Sequence, residues 1–115
     1  MPTRADVLAI RSIEDAFDLS TTTVMPKELA MVRVAAEERL IDIRRHASWA
    51  ADEERITDRE VLAAVRLGKP VSKDIDPYGP RKVGINFERT LRDNRRIRVK
   101  VSWDRRHYTV TVHTT

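Results

Sequence analysis

The spacing of apolar residues changes part-way along this 115-residue chain, and this change constrains the fold more than any other feature. Up to Gly68, apolar residues recur about every 3.6 positions, which is the period of an amphipathic helix. From Val71 onward they alternate with polar residues, which is typical of half-buried strands. A chain of this length with helices followed by strands indicates one α+β domain. We therefore predict N-terminal helices packed on a C-terminal antiparallel sheet of three or four strands.

Start and stop signals place the predicted helices. The apolar stripes predict helices over Arg4–Phe17 and Pro26–Arg45, and proline suits the first turn because its missing N–H has no intrahelical partner there. A capping box predicts a third helix beginning at Thr57, and Gly68 is expected to end it. The sequence leaves open whether the second helix continues or breaks near Leu40–Ile43.

The last two predicted strands, within Ile97–His113, form a hairpin if the chain turns at Arg105-Arg106. In that register every large apolar residue faces one side of the sheet. Trp103 and Tyr108 then form a cross-strand pair on the core side. The polar side chains lie opposite one another as four pairs: Asp104 with His107, Ser102 with Thr109, Lys100 with Thr111, and Arg98 with His113.

The polar side of this hairpin carries groups suited to RNA phosphodiester chemistry. Arg98 and Lys100 are suited to hold a phosphate and to offset negative charge that grows on its oxygens. An imidazole that titrates near pH 6.5, at His113 or His46, is suited to move the proton of a sugar hydroxyl. The alternative is purely structural, because exposed sheet faces are normally polar and Thr and His pair across strands without catalysing anything.

The charge is segregated along the chain. Residues 1–80 carry 12 Lys and Arg against 15 Asp and Glu, whereas residues 81–115 carry 10 against 3. Such a split favours a polyanionic partner, nucleic acid first, although a basic face that only keeps the protein in solution is an alternative. The side chains predicted to contact nucleic acid are Arg95, Arg96, Arg105, Arg106, His107 and Arg55.

The composition excludes several classes of site. The chain has no cysteine and three glycines, which excludes thiolate metal sites, cysteine nucleophiles and glycine-rich phosphate loops. Its histidines lack metal-ligand spacing, so neither a metal nor a cofactor is expected. No apolar stretch reaches the ~20 residues of a membrane helix, and no signal-peptide pattern opens the chain. We therefore expect a cytoplasmic protein with no membrane partner, and export by another route stays open.

A set of short motifs resembles an uncharacterised bacterial family. The motifs are His46-Ala47, Arg55-Ile56-Thr57, Val61-Leu62, Leu67-Gly68 and a final strand like Val110-Thr111-Val112. In layout this family is similar to the BrnT and RelE ribonuclease toxins of the barnase-like grouping. The resemblance implies a toxin-like core over residues 40–115, preceded by a helical extension over residues 1–38. It also implies that His46, Arg55 and Thr111 lie near a cleft beside the basic sheet.

Two hypotheses about function follow. The first is a toxin-like, metal-independent endoribonuclease of a bacterial toxin–antitoxin system, which cleaves RNA on the basic face of the sheet. Its expected site residues are His113, His46, Arg98, Lys100 and Thr111, with Thr111 positioning the substrate. The second is a non-catalytic module that binds nucleic acid or protein, such as an accessory protein or a phage-type inhibitor. Any protein partner, such as an antitoxin, is expected to dock on residues 1–45.

Overall fold

A computed structural model of the chain describes residues 2–44, 56–76 and 82–113. The described elements are the helices α1 (Arg4–Leu8), α2 (Ile13–Ala16), α3 (Pro26–Glu37) and α4 (Asp58–Leu67) and the strands β1 (Ile41–Arg44), β2 (Lys69–Ile75), β3 (Val83–Thr90), β4 (Arg96–Asp104) and β5 (His107–His113). The predicted α+β class is confirmed, since helices dominate the N-terminal part and strands the C-terminal part. Among the described helices, none is long and apolar enough to cross a membrane.

The sheet differs from the prediction in size and in strand direction. Within the described residues it has five strands, in the order β1-β5-β4-β3-β2, rather than the predicted three or four. β1 pairs with β5 in parallel, with Ile41 opposite Tyr108 and Arg44 opposite Thr111, whereas the other three pairings are antiparallel. The sequence could not show this pairing, because β1 is only four residues long and its partner is the last strand of the chain.

The predicted N-terminal helices are shorter than their apolar stripes. The stripe over Arg4–Phe17 forms two separate short helices, each with its own N-cap, at Thr3 and at Ser12. The helix that begins at Pro26 ends at Glu37 instead of continuing to Arg45.

The end of α3 explains why its stop signal is hard to find in the sequence. The N–H of Leu40 donates to the carbonyl of Ala35 at 2.7 Å, and the N–H of Arg39 donates to that of Ala36 at 3.3 Å. These two bonds make a Schellman motif, whose left-handed residue is usually glycine. Here that residue is Arg39, with φ 57°. The helix therefore breaks just before Leu40, close to the position given by one of the two open alternatives, and β1 follows.

The start and stop of α4 match the sequence signals. Thr57 and Glu60 form the predicted capping box, and the helix ends before Gly68. Only glycine fits at this position without a steric clash, because a Cβ there would lie 2.2 Å from the carbonyl oxygen of Ala64 and 2.8 Å from that of Glu88. The end of α4 is therefore packed directly against the backbone of β3.

One hydrophobic core joins the helices to the inner face of the sheet. It includes Val7 and Phe17 from the N-terminal segment as well as Val99 and Tyr108 from the hairpin. The rings of Phe17 and Tyr108 meet edge to face at 6.3 Å, and Tyr108 is 1% exposed. Burial raises the pKa of its hydroxyl, and the charge of Glu28 adds to this. The prediction that Tyr108 faces the core is confirmed, so its ring is not free to stack on a base.

A buried ion pair fixes the segment between α2 and α3 to the sheet. Nζ of Lys73 on β2 lies 2.6 Å from Oε2 of Glu28 on α3, and the two side chains are 0% and 4% exposed. The same ammonium donates to the carbonyl of Asp18 at 2.6 Å and of Thr23 at 3.5 Å. The carboxylate also accepts from the N–H groups of Asp18 and Met25. Both charges are therefore compensated inside the protein, as burial demands.

Candidate nucleic-acid interface

The hairpin of β4 and β5 has the register that the sequence predicts. Trp103 lies opposite Tyr108, and the chain turns at Arg105-Arg106. All four predicted polar pairs are present: Asp104 with His107, Ser102 with Thr109, Lys100 with Thr111, and Arg98 with His113.

The polar residues of the hairpin continue across the neighbouring strands on the face that points away from the core. The pairing registers add Asp42 and Arg44 from β1, Asn86 and Glu88 from β3, and Asp74 from β2. We call these five residues and the four polar pairs of the hairpin the polar face. Thr109 is buried at its centre, 3% exposed, with its hydroxyl 3.3 Å from that of Ser102.

The predicted catalytic residues are only partly brought together by the described structure. Arg98 and Lys100 lie two residues apart on β4, directly opposite His113 and Thr111 on β5. The side chains of Arg98 and Lys100 are 40% and 29% exposed. His46 and Arg55, which the family resemblance places near a cleft, lie outside the described residues.

Both predicted phosphate-binding cations already have carboxylate partners. Nη2 of Arg98 donates to Oε1 of Glu88 at 2.8 Å, and Nζ of Lys100 lies 3.3 Å from Oδ2 of Asp74. Nε of Arg98 is buried and has no hydrogen-bond partner in the described structure. The middle of the polar face is therefore close to neutral, and a phosphate would have to compete with two carboxylates for these cations.

Asp74 is held in its charged form by its neighbours. The side-chain amide of Asn86 donates to it at 2.8 Å; this bond, together with Lys100, lowers the pKa of Asp74 despite some desolvation. Because the folded-state pKa is depressed, the stabilisation by these contacts is present above the unfolded-state pKa and is lost as pH falls through the lower folded value. Asp74 therefore stays ionised, and paired with Lys100, throughout the neutral range.

Replacing Asp74 with asparagine should strengthen RNA binding. The variant keeps an acceptor for Asn86 but frees Lys100 to contact a phosphate. We expect several-fold tighter binding of a single-stranded oligoribonucleotide and a log–log salt slope steeper by about 0.7, the value for one extra phosphate contact. Glu14→Gln, which removes one negative charge from the exposed surface of α2, is the matched control. Equal effects of both variants would show that only net charge matters.

A second cluster of charges lies at the turn end of the polar face. Nη1 of Arg44 donates to Oδ2 of Asp104 at 3.0 Å. Oδ2 of Asp42 lies 3.7 Å from Nε of Arg44 and 3.7 Å from Nε2 of His107. Sequence analysis included His107 but missed Asp42 and Arg44. The available signal was the alternation of Ile41-Asp42-Ile43-Arg44, which is too short to outweigh the helical period that precedes it.

The turn that carries Arg105 and Arg106 has an unusual backbone. Their φ angles are 48° and 81°, as in the two-residue hairpin turn that normally takes Asn-Gly. Arginine has a Cβ and is unfavourable in this region. Backbone strain of this kind often accompanies a functional role. The strained turn carries two exposed guanidinium groups at the tip of the hairpin.

The double substitution Arg105→Asn with Arg106→Gly tests whether this turn lowers the stability of the fold in exchange for RNA binding. Relief of the left-handed strain should raise the free energy of unfolding by about 1–2 kcal/mol, measured by urea denaturation. The same variant should bind RNA more weakly, because it removes two positive charges. Reduced stability, or unchanged RNA affinity, would contradict this account of the turn.

Two further predicted RNA contacts lie at the other end of β4. Arg96 is exposed and, two residues from Arg98, lies on the same side of the sheet. Arg95 precedes the strand, and its Nε donates to Asp93 at 2.6 Å. The most exposed arginines of this region, Arg96, Arg105 and Arg106, therefore lie at the two ends of the polar face. Arg98 and Lys100 at its middle are half-buried and paired with carboxylates.

Comparison of the chain with protein-family models, with curated proteins and with solved structures finds no match. Within residues 2–44, 56–76 and 82–113, no group of three His, Asp or Glu side chains is placed to hold a metal ion. The polar face itself is therefore the basis for a functional assignment.

Proposed function

We propose that this protein is a toxin-like endoribonuclease that binds RNA across the polar face and cleaves it without a metal ion. The observation that carries the proposal is the register of β4 and β5. It sets Arg98 opposite His113 and Lys100 opposite Thr111 on one face of the sheet. Directly opposed residues on antiparallel strands have Cα atoms about 5 Å apart, so the register brings these four positions within reach of one phosphodiester.

The proposed reaction is an internal transesterification. The 2′-hydroxyl of RNA loses its proton and attacks the phosphorus, the bond to the 5′-oxygen breaks, and the leaving oxygen takes up a proton. The products are a 2′,3′-cyclic phosphate and a free 5′-hydroxyl. In the proposed site an imidazole at His113 carries the proton, Arg98 and Lys100 hold the phosphate oxygens, and Thr111 positions the substrate. His46 is the alternative proton carrier.

The basic and polar side chains at the two ends of the face would guide the RNA strand. Arg105, Arg106 and His107 lie at one end, and Arg95 and Arg96 at the other. Since both ends are on the same long hairpin, a single strand that contacts both must pass over Lys100 and Arg98. A bacterial toxin of this kind would also need a neutralising protein partner, for which residues 1–45 remain the proposed docking surface.

The test is RNA cleavage by the purified protein in EDTA, with tRNA, mRNA and ribosome-bound mRNA as substrates. Cleavage that leaves cyclic phosphate ends, and that persists in EDTA, supports the proposal. No cleavage of any substrate, together with no toxicity on expression, would contradict it.

The non-catalytic alternative is favoured by one observation, the neutralisation of Arg98 by Glu88 and of Lys100 by Asp74. It predicts salt-sensitive RNA binding with no turnover. The same assay separates the two functions if affinity and cleavage are measured on one RNA.

A further inference from the structure

A cleft of about 610 Å³ lies on the helical side of the sheet, away from the polar face. It is bounded by the first turns of α4 and by the connection between β3 and β4. Three arginines line it, one from each element: Arg59 on α4, Arg89 on β3 and Arg92 in the connection. None of the three was singled out by the sequence pattern.

The charges that line this cleft are unbalanced. It also contains Glu60 and Asp93, but both carboxylates are engaged elsewhere. Glu60 accepts from the backbone N–H and the hydroxyl of Thr57 at 2.9 and 3.1 Å. Asp93 accepts from Nε of Arg95 at 2.6 Å. In the part of the chain that the structure describes, no carboxylate pairs with Arg59, Arg89 or Arg92.

Arg89 is the centre of this arrangement. Its partner in the sheet is Ile97, which is buried, so Arg89 extends toward the helical layer. Its Nη1 is buried and makes no hydrogen bond within the described ranges. A buried donor on a cation is unfavourable when it has no acceptor. An anion bound in the cleft would compensate the charge of this guanidinium.

We propose that the cleft binds a phosphate group through Arg59, Arg89 and Arg92. Guanidinium groups match the oxygens of phosphate in pairs. The hydroxyl of Thr90, which also lines the cleft, is available as a further donor. The site does not depend on the ribonuclease proposal, since none of its residues belongs to the polar face.

Calorimetric titration with inorganic phosphate tests the site. The wild-type protein should bind phosphate saturably, and Arg89→Gln and Arg92→Gln should each weaken binding at least about tenfold, which corresponds to about 1.4 kcal/mol. The matched control is Arg66→Gln, which removes an exposed arginine of α4 outside the cleft. Because Arg92 is exposed, its variant should keep the wild-type melting temperature even if the Arg89 variant does not. Absence of saturable binding, or equal weakening by Arg66→Gln, would overturn the proposal.

Two further probes identify the source of the phosphate. A 2′-O-methyl oligoribonucleotide that displaces inorganic phosphate would indicate a polynucleotide backbone. A nucleoside diphosphate that binds more tightly than phosphate, while the oligonucleotide does not compete, would indicate a free nucleotide. Either result supports a phosphate site, whereas failure of all three probes to bind in the cleft contradicts it. His113→Ala should leave the binding unchanged, so this test and the cleavage test can fail independently.

Discussion

His113→Ala should lower the rate of RNA cleavage by about 10²- to 10⁴-fold, the usual contribution of a general acid or base. The substitution removes the imidazole that the register places opposite Arg98. RNA affinity should change little, because the cations of the polar face remain. The loss should therefore appear in kcat rather than in KM.

His107→Ala is the matched imidazole substitution at the opposite end of β5. Since His107 is proposed to contact the RNA strand, its removal should raise KM and leave the chemical step nearly unchanged. A His113→Ala variant that melts like the wild type and cleaves at the wild-type rate would remove His113 from the mechanism. A comparable fall in kcat in both variants would show that neither imidazole has the specific role proposed.

Lys73→Met should lower the free energy of unfolding by about 3–5 kcal/mol, because it leaves the charge of Glu28 buried without its partner. This is a large part of the 5–15 kcal/mol typical of a whole domain. The lost ammonium also leaves the carbonyl of Asp18 without its 2.6 Å donor. In urea denaturation, the midpoint should fall at a lower urea concentration and the m-value should be similar to that of the wild type.

Two controls separate the ion pair from general effects of the substitution. Lys69→Met changes an exposed lysine of the same strand and should alter stability by less than about 0.5 kcal/mol. Adding Glu28→Gln to Lys73→Met removes the unpaired charge and should recover part of the loss. If Lys73→Met were as stable as Lys69→Met, the buried pair would not hold the N-terminal segment to the sheet.

The hairpin could be predicted residue by residue because its signals are local. Large apolar side chains alternate on both strands, which puts Trp103, Val101 and Val99 on the same side as Tyr108. The two-residue turn at Arg105-Arg106 then selects one register among those that keep this alternation. The capping box at Thr57 is local in the same way. Such signals depend on neighbours a few positions away, so one sequence contains all that is needed to find them.

The parts that could not be predicted depend on contacts distant in the chain. The pairing of β1 with β5 brings Asp42 beside Thr109. No local sequence pattern predicts this strand pairing. The carboxylates that neutralise Arg98 and Lys100 come from β3 and β2. Composition showed a basic C-terminal region, but the fold supplies acidic partners to its middle and leaves net positive charge at its ends. The arginines of the cleft were missed for the same reason, since three separate elements contribute them.

The most direct test of the central claim, that RNA binds across the polar face, is amide NMR mapping with a 2′-O-methyl oligoribonucleotide. This probe lacks the attacking hydroxyl and stays intact. The account predicts the largest shifts at Arg98–Ser102, at Thr109–His113 and around the Arg105-Arg106 turn, and weaker binding as salt is added. Shifts confined to α1, α2 and α3, or no shifts at low salt, would contradict it.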